Sequence, residues 1–113
     1  MATYTPSQIR GAGTTGENLS GTKTFTFQNA STSTSYFVLE AIRTPDGFYS
    51  SSLSIAGTFN VSASMEPGFV TSSYMFACAV PAGTSSLTFT PTSPISGSNY
   101  RLRGAGELTL IIS

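Results

Sequence analysis

The chain has 113 residues and a mass of 11.8 kDa, one ordinary domain by length. It has no His, no Trp, one Cys and only 9% charged residues, five basic against five acidic, while Ser and Thr make up about a third of it, far above average usage. These values exclude a Ser-His-Asp triad and a His/Cys zinc site, a basic stripe for nucleic acid and an apolar run long enough to span a membrane.

The first residues, Met1-Ala2-Thr3-Tyr4-Thr5-Pro6, lack a charged n-region and an apolar h-region, so no secretory signal is expected. Residues 1–23 are poor in large apolar groups and read as a Gly/Thr-rich N-terminal arm, tied down by a neighbouring subunit if it is ordered. The body is expected over 24–113. No window carries apolar residues at helical spacing over three turns, so no helix is expected.

Strand signals recur from residue 24 onward. Thr24-Phe25-Thr26-Phe27-Gln28 alternates strictly, with both Phe directed to a core. Tyr36 to Ile42 is apolar on both faces: Phe37, Leu39 and Ala41 on one, Tyr36, Val38 and Ile42 on the other, broken only by Glu40. A strand covered on both sides, by its own domain or by a neighbour, reads this way. Thr44-Pro45-Asp46-Gly47 has turn chemistry. Leu53 and Ile55 suit a short strand. Residues 58–63 alternate with Phe59, Val61 and Ala63 inward, and Met65-Glu66-Pro67-Gly68 is a second turn. Tyr74 to Val80 is the most apolar strand and is expected at a sheet centre. Leu87 and Phe89 alternate with Thr88 and Thr90; Tyr100 and Leu102 oppose Arg101 and Arg103; Leu108 to Ile112 closes the chain. That last strand, uncharged and rich in β-formers, must be paired or covered, and pairing within the domain is the expectation. Seven or eight short strands at this spacing predict an all-β fold, a single β-sandwich of jelly-roll-like or Greek-key type.

Few residues can carry chemistry. The acids Glu17, Glu40, Asp46, Glu66 and Glu107 form no recognisable catalytic pair, and Glu40 is expected to face outward beside an arginine such as Arg43 or Arg101. Cys78 lies in an apolar run and reads as a buried, inert thiol. No catalytic residue, metal ligand or cofactor site is assigned. Three Asn-X-Ser triplets, at Asn18, Asn29 and Asn60, are what so much Ser produces by chance. Arg10-Gly11-Ala12-Gly13 and Arg103-Gly104-Ala105-Gly106 echo each other as two Gly-rich turns; side-by-side pairing is the sharper alternative. Gly11-Ala12-Gly13 with Gly16 matches a phosphate-loop pattern in form only, because no helix is expected after it.

Tyr4-Thr5-Pro6-Ser7-Gln8-Ile9-Arg10-Gly11-Ala12-Gly13-Thr14, then Thr24-Phe25-Thr26-Phe27 and Tyr36-Phe37-Val38-Leu39-Glu40, resemble the small all-β structural proteins of tailed bacteriophages. The likeness is one of style over the whole chain and carries over no functional residue. It implies a non-enzymatic virion protein, made in the host cytoplasm, that decorates or cements the head through contacts with the major capsid protein. A tail, neck or fibre component, or a carbohydrate-binding or adhesin module, are the alternatives. Multi-copy assembly is expected, with neither nucleic acid nor membrane as partner. The candidate contact residues are Tyr4, Ile9, Arg10, Phe48, Tyr49, Arg101 and Arg103.

Overall fold

The computed structural model describes residues 2–11, 13, 16–41, 53–57, 62–64, 74–91 and 94–113. Nine strands lie within them: β1 Ala2–Tyr4, β2 Lys23–Asn29, β3 Ser35–Ala41, β4 Leu53–Gly57, β5 Ser62–Ser64, β6 Tyr74–Val80, β7 Gly83–Pro91, β8 Tyr100–Gly104 and β9 Leu108–Ile112. They form a six-stranded sheet, β1-β9-β2-β7-β4-β5, and a three-stranded sheet, β6-β3-β8. Every pairing is antiparallel. β4 and β5 are the one consecutive pair of described strands that bond to each other. Elsewhere the chain keeps crossing between the sheets or skipping a strand, as layered β folds do. The all-β expectation holds, in a sandwich-like arrangement.

The core follows from strand alternation. Phe25 and Phe27 of β2, Leu87 and Phe89 of β7, and Leu108, Leu110 and Ile112 of β9 point inward from the larger sheet. Phe37 and Leu39 of β3, Tyr100 and Leu102 of β8, and Val80 of β6 answer from the smaller one. Phe37 is the key between the layers. Its ring meets Phe25 edge-on at 6.2 Å and Phe27 tilted at 5.0 Å, while Phe25 stacks on Phe89 at 5.0 Å. Offset and edge contacts of this kind suit the ring quadrupole. The last strand lies between β1 and β2, so its apolar run is paired inside the domain.

Three expectations are corrected. First, among the described residues Tyr74–Val80 is an edge strand, not a central one. An apolar run reports freedom from water, and Ala77 and Ala79 are small enough to stand exposed on an outer face. Second, a helix exists: α1, Pro6–Arg10. It is only five residues long, too short for a periodicity search over three turns. Its signal is local. Thr5 caps it, accepting from the Gln8 N–H, the Gln8 side chain returns to the Thr5 N–H, and Pro6 sits at its first turn. This reciprocal capping box satisfies two orphan donors. Third, the segment 1–23 is anchored on its own domain. β1 pairs with β9, and Ile9 and Leu19 are buried in the shared core. Leu19 also forms a two-way backbone bridge with Ile95.

Gly97 and Gly104 allow that anchoring. A Cβ on Gly97 would collide with the Gly16–Glu17 backbone. One on Gly104 would come 2.7 Å from Ile9 Cγ2. At Gly97 the approach is backbone to backbone and admits only glycine, while at Gly104 the Ile9 side chain takes the space a Cβ would fill. The two Arg-Gly-Ala-Gly segments therefore do meet, within one chain. α1 runs into the first and packs on β8 and β9, and Arg10 Nη1 donates to the Gly106 carbonyl at 2.6 Å. They meet as a helix end against a turn, and Gly106 takes the left-handed conformation at φ 67°.

Candidate contact surface

Alternation along β3 sends Tyr36, Val38 and Glu40 to the outside of the smaller sheet. Register places Arg103 opposite Val38 and Arg101 opposite Glu40 on β8, and Ala79 opposite Tyr36 and Ala77 opposite Val38 on β6. The face therefore has two ends. One is apolar: Tyr36, 52% exposed, with exposed Ala77 and Ala79 and half-buried Val38. The other is a charge cluster. The Glu40 carboxylate is gripped by Arg101 Nε and by Arg103 Nη1, the latter at 3.2 and 3.1 Å from its two oxygens. Glu40 retains 16% side-chain exposure, against 39% and 46% for the arginines. Burial pushes its pKa up, but hydrogen bonds and charge from Arg101 and Arg103 outweigh this and hold it below the ordinary carboxylate range. One carboxylate between two guanidiniums leaves a net positive charge at this end.

The candidate residues fall in different places. Arg101 and Arg103 come together through Glu40. Arg10 is exposed and lies 3.7 Å from Glu107, a solvent-screened pair that contributes little. Tyr4 is half-buried against the core, and its hydroxyl donates to the Glu17 side chain. Tyr100 donates to the Glu17 carbonyl at 2.7 Å, so both tyrosines clasp the same strap. Ile9 is 1% exposed, which corrects its expected contact role: it plugs the space above Gly104. Phe48 and Tyr49 lie outside the described residues, as do the two turns expected at 44–47 and 65–68 and the expected inward residues Phe59 and Val61.

The outer-face residues Tyr36, Ala77 and Ala79 were not singled out from sequence. The signal was the second apolar face of β3. Only pairing could tell whether the domain or a neighbour covers it. Asn29, one of the triplets, is a buried tie. Its Nδ2 donates to the Ser33 and Val80 carbonyls at 3.0 and 3.1 Å, and its Oδ1 accepts from the Ser31 N–H. It joins the end of β2 to the end of β6 across the two sheets. Cys78 is partly buried and packs on the core, and burial pushes its pKa up to about 12, so the thiolate needed for reaction is scarce at neutral pH. Among the described residues no group of three or more His, Cys, Asp or Glu side chains could hold a metal ion. Comparison with models of known families, with curated proteins and with solved structures finds no match to this chain.

Proposed function

We propose that this chain is a non-enzymatic structural protein of a tailed-bacteriophage virion, a decoration or cement subunit seated on the head. The observation that carries the reading is the outer face of the smaller sheet. An exposed tyrosine and small apolar side chains lie beside a held charge cluster there, the mix of apolar centre and polar rim that protein contacts use. The Ser/Thr-rich, His-free composition and the likeness to small phage structural proteins supply the virion context. Cementing works by burying surface across capsomer boundaries, and a specific contact needs about 1,000 Å² or more. Tyr36 is the aromatic anchor of such a contact and Arg103 its rim charge.

The test is a particle. The protein is expected in purified heads, and heads lacking it are expected to open at lower temperature and under milder osmotic shock. With added protein, Tyr36→Ala is expected to weaken head binding about tenfold or more, the scale of an interface hot spot. Particles without the protein, or heads equally robust in its absence, overturn the reading. Recovery in tails alone overturns the head assignment.

A further inference from the structure

A sheet edge offers unpaired N–H and C=O groups to any strand that approaches, and proteins blunt edges by shortness, charge or cover. Among the described residues the two sheets end on four edges, and three of them are treated that way. β1 and β5 are three residues long. β8 carries Arg101 and Arg103 and has α1 packed against it. β6 is the exception. It runs seven residues, Tyr74–Val80, with no proline inside it and no charge. From Pro67 to Tyr100 the chain has no Asp, Glu, Lys or Arg at all. Among the described residues β3 is its sole strand partner.

We propose that the outer edge of β6 is a self-association surface, on which the β6 strand of a second copy pairs antiparallel about a two-fold axis. The joined sheet then runs β8-β3-β6 in one protomer and continues β6-β3-β8 in the other. A second copy fits this edge for reasons of charge and shape. A two-fold contact sets each residue against the same surface of its partner, so any charge on the edge would oppose its like, and β6 carries none. The arginines of the two β8 strands stand five strand spacings apart, about 24 Å at the usual separation, well beyond the screening length of about 8 Å at physiological salt. Flanking the seam on the outer face are the exposed Ala77 and Ala79, too small to obstruct the approach of their counterparts. Main-chain hydrogen bonds provide the affinity, as in other strand additions. One strand pair buries less than a standard interface, so the dimer forms reversibly. This goes beyond the virion reading and is independent of it, because the purified chain alone suffices to test it.

Sedimentation velocity between about 1 and 100 µM, the range where micromolar contacts populate, is expected to show a rise from 11.8 kDa to twice that mass. Ala77→Lys and Ala79→Lys place a charge on an exposed position of the edge. Each is expected to weaken association at least tenfold while leaving the circular dichroism and melting of the dilute protein unchanged. Hydrogen exchange on the unaltered chain gives a second readout should a variant misfold: amide protection across Tyr74–Val80 is expected to rise with concentration. A mass fixed at 11.8 kDa throughout overturns the proposal. So does a dimer indifferent to both lysines, or exchange at β6 that is independent of concentration.

Discussion

Glu40 shows how one side chain is committed by its neighbours. It lies on the outer face of β3, yet two guanidiniums from β8 enclose it. Its pKa is held below the ordinary range, so its pairing stabilises the fold above the unfolded carboxylate pKa near about 4.3 and is lost as pH falls through the lower folded value. Melting temperature is therefore expected to drop in that acid window, and the drop is expected to shrink in Glu40→Gln, which keeps the shape without the charge. Equal acid losses in both proteins would remove Glu40 as the cause. The outward direction of Glu40 and its pairing with an arginine were legible in the alternation of β3. That Arg101 and Arg103 both reach it depends on the β3–β8 register, which no local pattern encodes.

At the scale of elements, the N-terminal segment is the instructive case. Its composition reads as an arm, since large apolar groups are few. Two of those few, Ile9 and Leu19, are buried to 1% and 0%. Thr5 and Gln8 fix the single turn that aims Ile9 at Gly104, and β1 covers the outer edge of β9 through Ala2, Thr3 and Tyr4. Removing residues 1–10 would uncover the uncharged edge Leu108–Ile112, a strand of high β-propensity. The shortened chain is expected to melt at lower temperature and to bind an amyloid dye on standing; unchanged melting and solubility would show that β9 needs no cover. The capping box was readable as Thr-x-x-Gln before an apolar residue. The strand was not, because three residues carry no period. β6 misled in the opposite sense: apolarity suggested the centre of a sheet, whereas sheet position is settled by which strands find partners.

The whole molecule rests on the contact between its two sheets. Phe37 of the smaller sheet meets Phe25 and Phe27 of the larger one, and Asn29 ties the sheet ends through Val80. Phe37→Ala is expected to cost about 3–5 kcal/mol, the range for emptying a core aromatic site. For a domain of this size that is much of the total stability, so denaturant midpoints should fall sharply. A loss below about 1 kcal/mol, typical of a surface change, would mean that the layers are joined elsewhere. The sequence by itself determined the fold class, the inward residues of β2, β7 and β8, the inert thiol and the poverty of reactive groups, because alternation and composition are local properties. Tertiary structure alone decided that Ile9 and Leu19 join the core, that the two Arg-Gly-Ala-Gly segments touch, and that among the described residues β6 ends its sheet. Each of these depends on pairing between residues far apart in the chain, where register and glycine-sized clearances choose the neighbour.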